Sequence, residues 1–449
     1  MQTVNQAASA KIAKRLIPFL MLCYFVAYLD RVNVGFAALT MNKDLGFSAE
    51  IFGFGAGIFF AGYFLFEVPS NLALEKFGAR IWIARIMITW GIISAGFAFI
   101  TGPASFYVMR FILGVAEAGF FPGIILFLTY WFTAEERARW VGWFMAAVPL
   151  SSVIGGPISG LILDTFNGAM GLKGWQWLFI IEGIPSILVG LWVLAYLTDK
   201  PEKATWLSQQ ERDATVAKLK TEQTNREAIQ HFTLGQALTN PRVLVLSLVY
   251  FGLVCGNYGL GLWLPQIVKG VATTLGLDKS TGIAINSLTG YLVAVPYAFA
   301  VVAMIWWTGH SDRTRERVWH VAGPAIAGGL ALIAAAYLSN PLLAALALTI
   351  CAMCTYAALP TFWTLPTAFL TGTAAAGGIA LINSIGNIGG FTGPYAVGYI
   401  KDANQGDATL GLVALAACYI MAGVVTLLLG HDSQIEMAGA KPSGLKPAE

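Results

Sequence analysis

The sequence predicts an all-α polytopic membrane protein, with twelve transmembrane helices in two six-helix halves. Three observations lead there. Of the 449 residues, 57% are hydrophobic and only 11% charged, where a soluble chain carries about a quarter charged residues. The mean hydropathy is +0.68. Apolar runs long enough to cross a bilayer, roughly 20 residues at 1.5 Å each, recur along the chain, and one long polar stretch divides them into two sets. The net charge of +3 is too small to point to nucleic acid, so the arginines matter by position.

Taken in order, residues 1–15 are polar and basic. They run into an apolar segment that is too long for a signal peptide and has no cleavage site. The first half, 16–197, holds segments at about 16–39, 51–74, 81–101, 104–130, 137–163 and 175–197. Residues 198–240, including DKPEKATWLSQQERDATVAKLKTEQTNREAIQHF, read as a linker with one amphipathic helix. The second half, 241–430, holds segments at about 241–268, 282–308, 316–338, 341–368, 374–398 and 408–430, followed by a polar tail, 431–449.

Charge sets the orientation. Of 27 Lys and Arg, 20 fall in the N-terminus, the even-numbered loops, the linker and the C-terminus. Five fall in odd-numbered loops (Lys43, Lys173, Lys269, Lys279, Lys401), and Arg31 and Arg110 lie within the membrane. Positive charge favours the inner side, so both termini and the linker are expected in the cytoplasm.

No catalytic cluster accompanies this layout, and the chain does not read as an enzyme. The five cysteines fall in apolar segments; Cys351 and Cys354 have CxxC spacing but no second pair or histidine cluster. No metal or cofactor is expected. Walker loop, zinc pair and nucleophile elbow are missing, and GFGAGIFFAG (53–62) sits in a membrane helix, where small residues allow helices to touch.

The chemistry concentrates in ASFYVMRFILGVAEAGFFPGIILFLTY (104–130), which carries Arg110 and Glu117 seven residues apart. On one helix both point the same way, about 10 Å apart, too far for a close pair. An unpaired charge at this depth costs at least about 2.5–3.5 kcal/mol, so other helices must supply partners or a cavity must hold water and ligand. Arg31, beside Asp30 in the first segment, is the second intramembrane arginine. A guanidinium binds a carboxylate through two parallel hydrogen bonds and stays charged, so two of them facing one cavity suit an anionic substrate. The alternative is that each arginine pairs with Asp30 or Glu117 and only holds the bundle together.

Two turns repeat across the halves: NLALEKFGAR after segment 2 and GHSDRTRER after segment 8. Each places an acid before a base, Glu75–Lys76 and Asp312–Arg313, and these are candidate gating contacts. Twelve segments, a long central loop and these turns resemble the major facilitator superfamily. The first turn is a degraded copy of that superfamily's loop motif, with Asn71 in place of the usual glycine and Glu75–Lys76 in place of Asp-Arg. YLDRVNVGFA (28–37), GYFLFEVPSNL (62–72), RFILGVAEAGFFPG (110–123) and TDKPEKATWL (198–207) resemble the anion:cation symporter family. The resemblance is nearest to bacterial tartrate transporters, with phthalate and sugar-acid permeases close behind.

That resemblance implies a major facilitator fold with a central cavity between the halves, alternating access by rocking, and a place in the bacterial inner membrane. It also implies substrate and proton-coupling roles for the Asp-Arg and Arg…Glu positions. Arg31 and Arg110 are thus expected at the substrate. Glu117, near the bilayer centre, is expected to carry the proton, with Asp30 tuning Arg31 or acting as a second proton site. Tyr63, one turn before Glu67, is placed to donate to a substrate oxygen. Asn257 and Tyr258 in segment 7, and Asn383 and Asn387 in segment 11, offer neutral hydrogen bonds, or else only bond to neighbouring helices. Glu67 reads as scaffold or gate; Glu182 has no assigned role. The expected function is proton-coupled import of a small organic anion, tartrate-like or another mono- or dicarboxylate, by a monomer in the bilayer. Exchange or export on the same fold is the alternative, and a membrane sensor without transport is the alternative of a different class.

Overall fold

The computed structural model describes residues 2–228, 239–369 and 372–430; the tail at 431–449 and residues 229–238 of the linker lie outside them. The helices are α1 (Gln2–Leu45), α2 (Ala49–Phe77), α3 (Ala79–Gly96), α4 (Pro103–Glu117), α5 (Phe120–Thr129), α6 (Ala134–Met145), α7 (Ala147–Thr165) and α8 (Gly174–Tyr196). After α9 (Gln209–Ala228) come α10 (Pro241–Thr274), α11 (Leu277–Thr281), α12 (Ile285–Thr314), α13 (Val318–Tyr337), α14 (Pro341–Phe362), α15 (Thr364–Phe369), α16 (Gly372–Ala403) and α17 (Thr409–Leu429). The chain is an all-α membrane protein, as its composition predicts.

Local sequence sets many of the ends. Asn240 and Asn340 each precede a proline at the first helical position and accept backbone N–H groups of the first turn, Arg242 at 2.9 Å and Leu342 at 2.9 Å. Proline has no N–H to lose there and the asparagine satisfies the next orphan donor. Among the described residues, eleven spans are long and apolar enough to cross a membrane. The remaining segment, α16, is a 32-residue helix rich in glycine. It packs against α2 and α10, so small residues for close contact replace large apolar ones for lipid.

The fourth span differs from its sequence reading as one continuous helix. It breaks after Glu117. Ala118 is extended at ψ 134° and Gly119 takes the left-handed φ of 83° before α5 begins. Only glycine accepts that φ without strain, and a side chain there would lie 2.4 Å from Ser70 Oγ. The break frees carbonyls of the last turn, and Arg85 Nη1 donates to the Ala116 carbonyl at 3.3 Å.

The two halves meet through α1 with α10, α2 with α16, and α7 with α12. Their tightest contacts are toward the face opposite the linker. There a Cβ on Gly160 would lie 2.3 Å from the Asn286 carbonyl oxygen, and one on Gly398 2.3 Å from that of Ala49. At the linker face, α9 is pinned to the first half by Lys11–Glu211 at 2.9 Å and Lys218–Glu136 at 2.8 Å.

Candidate functional site

Between the halves lies a cavity of about 730 Å³, counting the space at its mouth. Its wall draws Tyr24, Tyr28 and Arg31 from α1, Phe60 and Tyr63 from α2, Tyr250, Asn257 and Tyr258 from α10, Tyr356 from α14, and Asn383 and Asn387 from α16. Arg31 is the one charged residue among these described lining groups. Six tyrosines and three asparagines surround it, so the wall combines one fixed cation with many neutral donors and flat apolar rings.

Arg31 sits at the junction of the halves. Its Nη2 pairs with Glu117 Oε1, and its Nη1 donates to the Tyr258 hydroxyl at 2.8 Å. Tyr258 OH is also 2.8 Å from Tyr28 OH. The guanidinium carbon lies 4.9 Å from the Tyr28 ring centre, 5.3 Å from Phe59 and 5.5 Å from Tyr63, distances at which a ring's negative face attracts a cation. The break after Glu117 places its carboxyl on the last turn of α4, where it reaches across to α1.

The two arginines do different things. Arg110 is 1% exposed and turns away from the cavity. Its Nε donates to the Gly55 carbonyl at 3.2 Å and its Nη2 to the Ala56 carbonyl at 2.8 Å, with the Phe59 ring centre 4.9 Å away. It joins α4 to α2, and the expectation that it lines the substrate cavity is not met in this geometry. The cause is close packing. A Cβ on Gly114 would lie 2.0 Å from the Phe59 carbonyl oxygen, and at this separation a long side chain from α4 meets α2's backbone first.

Asp30 also differs from its reading as a partner of Arg31. It accepts from Trp90 Nε1 at 3.0 Å, Ser94 Oγ at 2.8 Å and Ser186 Oγ, tying α1 to α3 and α8. Neighbours on a helix point about 100° apart, so Asp30 faces its own bundle while Arg31 faces the cavity. Glu182 behaves like Asp30, accepting from Ser159 Oγ at 2.6 Å.

Glu67 accepts from Asn383 Nδ2 at 2.6 Å, a bond between the halves deep in the bundle. Tyr63, Asn257, Tyr258, Asn383 and Asn387 all reach the cavity. At the acid–base turns, the candidate gating contacts, the described partners lie elsewhere than on the adjacent acid or base. Asp312 is bound by Arg317 at 2.7 Å in place of Arg313, and Lys76 lies 5.4 Å from the Phe77 ring centre rather than on Glu75. Residues adjacent on a helix diverge too far to pair. Sequence reading missed Tyr24, Tyr28, Tyr250 and Tyr356. The first two carry a visible signal, since Tyr24, Tyr28 and Arg31 fall at i, i+4 and i+7, one stripe of a helix.

Two apposed helical bundles around a cavity with one fixed cation define a membrane transport protein. The chain belongs to the Major Facilitator Superfamily, whose family model matches residues 20–394. It is 53% identical over 423 residues to a "Putative tartrate transporter" of Agrobacterium vitis, covering 94% of this chain and 91% of the relative. It is 40% identical to a "Quinolone resistance transporter" of Acinetobacter baumannii, covering 92% and 93% of the two chains. In fold it is similar to the xylose transporter XylE from E. coli in a partially occluded inward open conformation, with a TM-score of 0.74 at 11% identity, over 94% and 99% of the two chains. It is a small-molecule transport protein of the bacterial inner membrane, built like a carrier and not like an enzyme.

Proposed function

We propose that the protein imports a small organic anion together with protons, by alternating access of the central cavity to the two sides of the membrane. The pairing of Arg31, on the cavity wall, with Glu117 behind it carries this reading. A carboxylate substrate seeking the guanidinium competes with Glu117 for it. Protonation of Glu117 removes that competitor, so proton and anion favour each other's binding, and by linkage the effect is reciprocal. The tyrosine hydroxyls and asparagine amides suit the hydroxyl or carbonyl groups of a small hydroxy acid, and the similarity to a tartrate-transporter-like relative points the same way.

The excess of Lys and Arg in the N-terminus, even loops and linker supports a cytoplasmic location for those parts. With that orientation the halves 16–197 and 241–430 close the periplasmic side, and the cavity faces inward. Groups from both halves of one chain meet at this cavity, which supports a monomer as the working unit. The test is uptake of labelled carboxylates into proteoliposomes with an imposed inward proton gradient. Accumulation above the equilibrium level that collapses with a protonophore supports symport. Accumulation indifferent to the gradient but driven by internal anion replaces it with exchange. The similarity to a quinolone resistance transporter favours efflux as the second reading, for which the same vesicles would lose preloaded substrate down an inward proton gradient.

A further inference from the structure

The face opposite the linker is closed by two contacts that mirror each other across the halves. Asp164, in the last turn of α7, accepts from the Ser287 backbone N–H at 2.6 Å, Ser287 Oγ at 2.7 Å and Asn286 Nδ2 at 2.7 Å, all in the first turn of α12. Asp402, in the last turn of α16, accepts from the backbone N–H groups of Ala49 at 3.1 Å and Glu50 at 2.7 Å, at the start of α2. First-turn N–H groups have no partner within their helix, and the positive end of the helix dipole favours an anion there. Each carboxylate thus caps a helix of the other half.

The symmetry is reciprocal. The α6–α7 span and α16 are the fifth spans of their halves, while α2 and α12 are the second. Each half sends a carboxylate from its fifth span to the second span of its opposite number and receives one in return. Lys269 extends one contact, with Nζ donating to the Leu39 carbonyl and to Asn286 Oδ1, both at 2.9 Å. Beneath the caps the backbones touch, since a Cβ on Gly53 would lie 2.5 Å from the Pro394 carbonyl oxygen. Both caps break when the halves rock apart at this face.

We propose that Asp164 and Asp402 are a matched pair of inter-half latches that position the carrier with this face shut and set how often it opens during transport. The identity of the substrate and of any coupling ion plays no part in this. Loss of a helix cap shifts equilibria by about fivefold, and two independent caps by about 25-fold. Neither carboxylate lines the cavity, so a latch variant is expected to change conformational population and leave the fold intact.

The test uses pulsed dipolar spectroscopy on full-length protein in lipid nanodiscs. Spin labels are placed by Lys173→Cys and Lys279→Cys, exposed positions of the two halves, with the five native cysteines replaced by alanine. Asp164→Ala and Asp402→Ala should each raise the ratio of long to short distances about fivefold, and together about 25-fold, with the thermal unfolding midpoint unchanged. An unchanged distribution in the double variant overturns the proposal, as does a lower midpoint without any shift in distance. If Asp164→Ala does not insert, Asn286→Ala combined with Ser287→Ala removes the side-chain donors of the same latch from the receiving helix. That pair must then give the shift, and its failure to do so also overturns the proposal.

Discussion

Arg31 and Tyr258 stand 227 positions apart, in different halves of the chain, yet the guanidinium donates to the phenol oxygen at 2.8 Å. The only charged group among the described lining residues of the cavity is therefore held by both moving parts at once. In the proposed transport cycle, rocking of the halves breaks or remakes this bond, so the group we propose to bind the anion is also tied to the conformation.

Arg31→Gln should weaken carboxylate binding by about 100-fold or more, the scale set by loss of a buried hydrogen-bonded charge. Arg31→Lys should recover less than a tenth of the affinity, because it keeps the charge and loses the fork. Calorimetry on detergent-purified protein reads both. Wild-type affinity in Arg31→Gln removes the anion site from the cavity.

Arg110→Gln should behave differently, because this guanidinium serves the carbonyls of Gly55 and Ala56. Glutamine can satisfy one of them and leaves the other short, at a cost of about 1–3 kcal/mol. The expected result is a lower thermal midpoint with substrate affinity held within about twofold. A large loss of affinity at an unchanged midpoint would return Arg110 to the binding site.

Glu117→Gln mimics a protonated carboxyl of the same size. Substrate should bind and exchange in counterflow, since glutamine does not compete for Arg31 as an anion does. Concentrative uptake driven by a proton gradient should disappear, because no proton is released to reset the carrier. If the variant concentrates substrate as well as the parent, the proton site lies elsewhere, and Asp30 is the next carboxylate to replace.

Two glycines separate folding from gating. Gly114→Ala puts a Cβ 2.0 Å from the Phe59 carbonyl oxygen inside the first half, and Gly160→Ala puts one 2.3 Å from the Asn286 carbonyl oxygen between the halves. Overpacking costs about 1–3 kcal/mol in either place. Within a half nothing can move apart, so Gly114→Ala should lower the melting point. Between halves the strain is relieved by opening, so Gly160→Ala should raise the reactivity of cysteines placed beneath that face. Equal melting points and equal reactivity in the two variants would refute this distinction.

The latch at Asp402 should be insensitive to ordinary changes of pH. Burial pushes its carboxyl up, but the N–H groups of Glu50 and Ala49, the Ser48 hydroxyl and Lys401 together hold it below the usual 3.8. A carboxyl depressed in the latched state stabilises that state above its free value and loses the effect as pH falls through the depressed one. The Asp402 contribution to the distance distributions across the face opposite the linker should therefore stay constant between about pH 5 and 8. A difference between parent and Asp402→Ala that changes or vanishes in that range would contradict it.

Much of the fold was legible because the signals are local. Each apolar run announces its own helix, and Asn240–Pro241 and Asn340–Pro341 mark their starts by cap chemistry that needs no distant partner. Within the site, Asn257 and Tyr258 of segment 7 and Asn383 and Asn387 of segment 11 were recognisable as polar groups in apolar surroundings. Their neighbours Tyr24 and Tyr28 were not singled out, since a tyrosine stripe also reads as packing.

By itself the sequence determined an all-α membrane protein, its superfamily, and the presence of charges that the bilayer tolerates only for a reason. The membrane fold and its buried charges follow from composition and period, which add up along the chain, and the superfamily from the resemblance that the layout and loop motifs carry. Tertiary structure alone decided where those charges point. Asp30 and Arg31 are adjacent in sequence, yet one turns to Ser94 and Trp90 and the other to Glu117, 86 residues away. Arg110 and Glu117 were expected to share one helix face; close approach of α2 captures the first, and the break at Gly119 leaves the second free to reach α1. Helix rotation, helix separation and a single left-handed residue set those outcomes, and none of the three is encoded in the spacing of residues along one segment.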